Sequence, residues 1–558
     1  MRQIIRSLLP SLLTKSLCIV MAASCFTAPS FAQSGAVQPG RVERDTRPVP
    51  QPVRRDSVRI DAPRFAEQVP AGAQDVRFLL GEVQVYGSTS MPTSELAPIW
   101  TPLIGKPITL AEAFGIAASI SARYREAGFI LSQAIIPAQD IRTVGVAVLR
   151  IEVIEGFIDK ISVTGLPEAK LLPYLEPVRR ERPLRLATLE RSLLLIGELA
   201  GVSAQANLRP STTPGASDLE VVASLKRTEF SLSVHNRSTP AQGRVRFEAS
   251  AEVHDAITDF DRHNLRWVTA GSKRLNLLAY SGDVPLGANG LKLQLGASAS
   301  RSEPDTDVAF SNIDTRSTNV SLGLAYPLLR SRQSNLSLRG GLNGYNNTAD
   351  IAGSRASEDR IRALRLGITG DYADNWGGIS LLDLEWSKGL SSLGAAKEGD
   401  PGVDANPQFS KLTAYAARLQ SLGGNWSALL AGTAQHSKDK LPTAEQLGLG
   451  GETFLRAFDP SEVIGEKGSA VKLELRYDLV IARFASTIYV YGDGGSVKRQ
   501  QADGGYQSTS LSSAGIGVRV SGPYRTRGYL EVAKPGRRDV TSEGNRDARV
   551  FAGVGIDF

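Results

Sequence analysis

The chain has 558 residues, with 64 Lys+Arg against 57 Asp+Glu for a formal net charge of +7, and its mean hydropathy is −0.13. Fifty-four glycines beside only 2 cysteines, with 42% hydrophobic residues, exclude a disulfide scaffold and a wholly disordered chain. Beyond the first 32 residues no apolar run approaches the ~20 residues a membrane helix needs, which excludes spanning by helices but not by a β-barrel.

Arg2, Arg6 and Lys15 form a basic start, Leu17 to Ala23 a short apolar stretch, and Ser30-Phe31-Ala32 a small-residue cleavage site. Residues 1–32 therefore read as a secretory signal peptide, with Gln33 as the mature start. Cys18 and Cys25 both leave with it; a lipoprotein reading that acylates Cys25 is opposed by Ala22, which stands where leucine is usual. Without the leader's cations the charge falls to about +4, too little to argue for nucleic acid as a partner.

Residues 33–75 are rich in proline and arginine, with Pro39, Pro48, Pro50, Pro52, Pro63 and Pro70 punctuating the run. Proline at this density disfavours a long helix and favours extended, solvated chain. The segment reads as a linker, or as a plug if the mature fold encloses a pore.

Two α+β modules of similar order follow, over 76–156 and 157–228. In the first, Phe78 to Val85 is a strand, and Thr109-Leu110-Ala111-Glu112 is a capping box that opens a helix. Leu110, Ala113, Phe114, Ala117, Ile120 and Tyr124 recur at helical spacing until Gly128 supplies the stop. Ile130 to Ile136 and Val146 to Ile154 close the unit as strands. The second repeats strand, helix, helix, strand, strand, from Ile158–Val163 to Leu219–Leu225. Modules of this β-α-α-β-β order offer strand edges that can take up an extended segment of another chain through backbone hydrogen bonds, with little demand on its sequence.

The run Gly128-Phe129-Ile130, Ile136-Pro137-Ala138-Gln139-Asp140-Ile141, Gly145, then Ile151 to Glu155-Gly156, and Ile161 to Gly165 resembles the polypeptide-transport-associated (POTRA) domains of two-partner secretion transporters, the haemolysin secretion/activation family. Ala138 stands where that pattern has a second proline. The resemblance marks Gly128, Pro137, Gln139, Asp140, Glu155 and Gly156 as motif positions.

From 229 to 558 the chain alternates with period two between glycine- and polar-rich turns. Val245, Phe247, Ala249, Ala251 and Val253 alternate with Arg244, Arg246, Glu248, Ser250 and Glu252, and Val471, Leu473 and Leu475 with Lys472, Glu474 and Arg476. Apolar-out, polar-in alternation over some three hundred residues predicts a transmembrane β-barrel of about 16 strands, closed so that no edge is left unpaired in lipid. The last strand, Arg549 to Phe558, ends on an aromatic residue, and Phe558 resembles the insertion signal of outer-membrane barrels. With the leader, this predicts a Gram-negative outer membrane, the POTRA modules lying in the periplasm.

Gly450-Gly451-Glu452-Thr453-Phe454-Leu455-Arg456-Ala457-Phe458 lies in a long segment between strands and resembles the inward-folding sixth-loop motif of the same family. Ala457 replaces the family's glycine, so the tip is less free to adopt positive φ. Tyr491-Gly492-Asp493-Gly494-Gly495 resembles the partner strand motif, and parity places Asp493 on one face with Thr487, Tyr489 and Tyr491. The resemblance implies a salt bridge from Arg456 to Asp493 that fixes the loop inside the lumen.

Competing chemistry finds no support. There is no phosphate-binding G-x-x-x-x-G-K-[ST] loop, and His235, His254, His263 and His436 lack metal-ligand spacing, so no catalytic residue, metal or cofactor is expected. The whole pattern resembles a pore that binds one large exoprotein through its POTRA domains and secretes it without ATP. The partner class implied is a β-helical adhesin, a cytolysin or a haem-related protein. Outer-membrane lipid, periplasmic chaperones and the barrel-assembly machinery are further partners, with a monomeric state expected. The alternative is a barrel-assembly factor, which shares both motif types but usually carries more than two POTRA modules.

Overall fold

The computed structural model describes residues 41–45, 49–52, 60–61, 69–271, 274–305, 312–400, 403, 405–501 and 503–558. The leader and most of the Pro/Arg-rich segment lie outside the described residues.

The first module is a four-stranded sheet in the order Pro107–Thr109, Arg77–Tyr86, Val146–Ile154, Gln133–Ile135, its two central strands parallel. One face is covered by the helix Leu110–Glu126. Its start is the expected capping box: Thr109 Oγ1 accepts from the Glu112 amide at 3.1 Å, and Glu112 Oε2 accepts from the Thr109 amide at 2.7 Å. Ala113, Ile116, Ala117, Ile120 and Tyr124 pack on Phe78, Leu80, Leu149 and Ile151.

Two expectations are corrected here. The first helix of the module is only Thr93–Leu96, continued by two 3-10 turns that open on Pro98 and Pro102, each proline lacking the amide that would extend the α-helical ladder. The strand expected over 130–136 shrinks to Gln133–Ile135, because Leu131 turns away from this sheet and is buried in the core of the second module.

That second module places Phe157–Thr164, Val202–Pro210 and Ala216–Leu225 beside the helices Glu168–Arg180 and Leu186–Gly197. A two-residue strand from the linker, Ile60–Asp61, adds in parallel to Val202–Pro210 at one edge, leaving Phe157–Thr164 as the other. The module is docked on the barrel. Phe260, in the periplasmic turn after the second barrel strand, is buried in the module's core edge-on to Tyr174, and Lys170 pairs with Asp255 and Asp259 at 2.8 Å.

Sixteen antiparallel strands, from Thr228–His235 to Arg549–Asp557, close the barrel. Alternation sorts their side chains as the sequence predicts: Val550 and Val554 are 56% and 57% exposed on the lipid side, while Phe551 between them is 5% exposed inside. Among the described residues no helix is long and apolar enough to cross a membrane. Long loops, 390–409, 438–466 and 536–548, gather at the end away from the modules.

Of the Pro/Arg-rich segment, read as a linker or a plug, a short piece is described inside the barrel. Arg41–Asp45 forms one turn of helix in the lumen, between Pro39 and Pro48 in sequence, so the prolines bracket it without interrupting it. Glu43 accepts from Ser298 at 2.6 Å and Asn319 at 3.0 Å on the barrel wall, while Arg41 donates to the Gln446 carbonyl at 2.6 Å.

Candidate functional site

The loop 438–466 leaves the strand Trp426–Ser437, folds back into the barrel, and returns to Lys467–Ile481. Its stem is a short ladder, Leu447–Leu449 against Val463–Gly465. Gly450 and Gly451 follow at φ +119° and +102°, and a Cβ on Gly450 would lie 2.2 Å from the Asp459 carbonyl oxygen, so this reversal requires glycine. At the tip the left-handed residue is Leu455, at φ 58°, while Ala457 is fully buried without positive φ. The replacement of the family glycine at 457 therefore carries no backbone strain. Leu455, Ala457, Phe458 and Phe454 bury together against Tyr415, Tyr489 and Tyr491.

Arg456 points across the lumen onto three strands. Its guanidinium lies 3.3 Å over the Tyr491 ring and 5.4 Å from the Tyr489 ring. Nη2 is 2.8 Å from Glu474 Oε2, and Nη1 donates to Glu531 Oε2 at 3.3 Å. The Glu474 contact is an ion pair without aligned hydrogen-bond geometry. Asp493 stands at the margin of the guanidinium, 4.0 Å from Nε, and its carboxylate accepts the Arg456 backbone amide at 3.2 Å and the Ser513 hydroxyl. The loop is thus held twice, its side chain by Glu474 and Glu531 and its main chain by Asp493. The Arg456–Asp493 ion pair that the resemblance implies is present at 4.0 Å, as one contact of the guanidinium among several.

The anions are themselves tied. Glu474 also meets Arg519 at 2.8 Å and Arg476 at 2.7 Å, and Glu531 accepts from Tyr489 at 2.7 Å, Tyr491 at 3.0 Å and Arg237 at 2.7 Å. Lys472 donates to the Thr453 carbonyl at 3.0 Å with its ammonium near the Phe454 ring. Three buried carboxylates face five cations, of which Arg456 is itself buried and Arg519 and Arg476 reach solvent; removing one partner of a fully buried pair costs about 3–5 kcal/mol.

Gly495, the last strand-motif position, packs so closely that a Cβ would lie 2.7 Å from that of Ala470. Tyr491, Asp493 and the loop residues come together as one site. The POTRA-motif residues form a separate set of joints in the first module. Gly128 ends its helix at φ +92°. Gln139, two residues after Pro137, acts as a peptide mimic, donating to the Arg150 carbonyl at 2.7 Å and accepting the Arg150 amide at 2.8 Å; Asp140 beside it is exposed. Glu155 accepts the Thr89 and Ser90 amides at 2.9 and 2.7 Å, the Thr89 hydroxyl, and the Tyr124 hydroxyl at 2.9 Å. Burial acts to raise the Glu155 carboxyl, but these donors hold it below its usual value, and burial pushes the Tyr124 hydroxyl up to about 12. Gly156 passes against the Leu131 carbonyl with no room for a Cβ. Phe558 is exposed at the periplasmic end, its amide donating to the Phe230 carbonyl at 2.8 Å.

Glu531, Ser513 and Arg41 are not singled out by the sequence, which places Glu474 and Tyr489 on the polar faces of their strands without giving either a role in the site. The available signal was a charge flanked by apolar neighbours within a membrane strand, as in Leu530-Glu531-Val532, which is tolerated only facing inward.

Residues 215–520, more than half of the chain, match the family described as haemolysin secretion/activation protein ShlB/FhaC/HecB, and residues 78–156 match the POTRA domain of ShlB type. The chain belongs to this haemolysin secretion/activation family. It is 24% identical over 490 residues to the outer membrane transporter CdiB of Escherichia coli, spanning 84% of this chain and 81% of the relative. It is 25% identical over 491 residues to the heme/hemopexin transporter protein HuxB of Haemophilus influenzae (83% and 84%), and 23% identical over 470 to the hemolysin transporter protein HpmB of Proteus mirabilis (81% of each). The solved structure of CdiB from Escherichia coli has the same fold, with a TM-score of 0.72 at 21% identity over 89% of this chain and 93% of that one. As a family member the chain is an outer-membrane β-barrel of two-partner secretion with periplasmic POTRA modules, and the barrel-assembly alternative falls away.

Proposed function

We propose that the two modules capture the unfolded amino-terminal part of one large exoprotein and feed it into the barrel as the loop bearing Arg456 yields. The observation that carries this is the loop itself, which lies inside the lumen and is held by Glu474, Glu531 and Asp493 beyond the periplasmic modules. The edge strand Phe157–Thr164, which among the described residues pairs with Ala216–Leu225 on one side and with no strand on the other, suits capture by backbone pairing. Folding of the cargo outside supplies the driving force in place of ATP. The cargo classes favoured are a β-helical adhesin, a cytolysin or a haem-related protein, the last two in line with the names of HpmB and HuxB. The transporter acts as a monomer, inserted through its terminal Phe558 by the barrel-assembly machinery after escort by periplasmic chaperones.

Arg456→Ala tests the loop. The barrel should still insert and resist heat in detergent, while secretion of the cognate exoprotein falls more than about tenfold, as expected from the loss of a buried charge contact. Undiminished secretion by a correctly inserted variant would overturn the assigned role.

A further inference from the structure

The barrel closes on its weakest ladder. The ladder between first and last strands runs from Gly553↔His235 to Asp557↔Ser231, ended by the Phe558 amide on the Phe230 carbonyl, whereas Phe484–Gln500 and Tyr506–Ser521 pair with each other along almost their whole length. Above Gly553 the ladder is handed to the Asn236 residue. Its amide donates to the Ala552 carbonyl at 3.1 Å, and its side chain imitates a peptide, with Nδ2 donating to the Val550 carbonyl at 2.9 Å and Oδ1 accepting the Ala552 amide at 2.8 Å. A seam this short should open at lower cost than the rest of the wall.

The loop tip lies across the same level on the lumen side. Arg237, immediately after Asn236, donates to the Arg456 carbonyl at 3.4 Å while its guanidinium stacks 4.3 Å over Phe551 of the last strand. Arg549, the first residue of the last strand, donates to the Ala457 carbonyl at 2.8 Å and pairs with Asp459 at 2.6 Å. Carbonyls of two consecutive tip residues are therefore received by arginines from opposite sides of the seam. The neighbouring outer loop adds to this, with Ser542 donating to Asp459 at 2.5 Å and the Thr541 amide to Glu462 at 2.6 Å.

We propose that Arg237 and Arg549 are positioning residues that make the tip of the lumenal loop a staple across the barrel seam, so that unlocking the loop and loosening the seam are one event. Two features argue for coupling over simple proximity. The Arg456 side chain touches neither seam strand: its partners lie on Lys467–Ile481, Phe484–Gln500 and Thr526–Pro535. The arginines at the seam, conversely, each reach a main-chain carbonyl of the tip, Arg549 adding the Asp459 ion pair, and the carbonyl contacts are lost once the loop moves, whatever side chains it carries.

Amide exchange on the full-length protein in lipid nanodiscs, without cargo, tests this independently of the transport reading. Arg456→Ala alters no seam residue, yet exchange over 231–236 and 549–553 should rise about tenfold, the effect of losing one or two buried hydrogen bonds. Exchange over Phe484–Gln500 and Tyr506–Ser521 serves as the control for an intact wall. Should Arg456→Ala loosen that wall as well, Asp493→Asn, which weakens the acceptor of the loop amide while keeping an oxygen for the Ser513 hydroxyl, carries the same expectation. Reciprocally, Arg237→Gln and Arg549→Gln should deprotect the tip amides 455–458, and Arg549→Lys, which keeps the Asp459 ion pair but cannot also reach the Ala457 carbonyl, should fall between them and the native protein. Seam exchange equal to the native rate while the loop amides are released would overturn the proposal, as would a tip that stays protected in both glutamine variants.

Discussion

Arg456 spreads one charge over several partners, and that decides which substitutions matter. Removing the guanidinium leaves Glu474 with Arg519 and Arg476, and Glu531 with Arg237 and two tyrosine hydroxyls, so the anions remain satisfied. The loss should therefore lie near the lower end of the ~3–5 kcal/mol expected for an orphaned buried charge. Arg456→Lys keeps the charge but neither the two-pronged reach nor the flat stack on Tyr491, and should retain only part of the secretion activity. Exchanging the charges, Arg456→Asp with Asp493→Arg, sets an aspartate against Glu474 and Glu531. The double variant should therefore secrete no better than Arg456→Ala in a cargo-release assay, and recovery of native secretion would show that the Arg456–Asp493 contact alone counts. The two motif residues were legible in sequence because they sit in recognisable strings. Glu474 and Glu531 were not, since their meeting depends on register across four strands: Glu474 opposes Tyr491, Tyr491 opposes Gly515, and Glu531 opposes Gly517. The glycines matter there, because a Cβ on Gly515 or Gly517 would lie within 2.6 Å of the Tyr491 or Tyr489 ring that reaches over it to Glu531.

Among the elements, the helix Leu110–Glu126 was readable from one line of sequence because its cap is local: Thr109 and Glu112 need only each other. Thr109→Ala should destabilise the first module by about 1 kcal/mol, measurable as faster amide exchange across that helix in the full chain. The strand expected over 130–136 failed for the opposite reason, since Leu131 is claimed by a core that forms later in the chain. Glu155 joins these scales, closing the loop at Thr89 and Ser90 onto the same helix through Tyr124. Its carboxyl is held below the ordinary value despite burial, so the folded form binds the proton less tightly than the unfolded chain. The resulting stability is complete above the unfolded value, about 4.3, and drains away as the pH falls through the lower folded one. Glu155→Gln should accordingly loosen the 88–91 loop at pH 7, and the difference from the native protein should shrink below about pH 4. An effect independent of pH over that range would show that hydrogen bonding to the charged form is not the cause.

For the whole molecule, sixteen strands and two modules could be anticipated from periodicity, whereas the fate of the amino-terminal segment could not. Its composition argues for solvated chain, but composition does not report what a lumen offers. Arg41 finds the Gln446 carbonyl and Ser461, and Glu43 finds Ser298 and Asn319, all more than two hundred and fifty residues away in sequence. The helix Arg41–Asp45 thereby bridges the barrel wall to the stem of the lumenal loop and narrows the pore between them. Single-channel conductance in planar bilayers reads this directly. Arg41→Ala should increase the time spent in high-conductance states, because Asp45 would be left as the segment's remaining contact with Ser461. A second substitution reaches the same joint from the other side: a Cβ at Gly448 would lie 1.8 Å from Arg41 Nη2 and 2.3 Å from Ser461 Oγ, so Gly448→Ala should break the Arg41–Ser461 contact without altering a helix residue. If both act by freeing Arg41, the double variant should conduct no more than either single one, since each already removes the shared contact. Additive increases would mean that Gly448 shapes the loop stem on its own account, and native conductance in all three variants would mean that the helix does not restrict the pore.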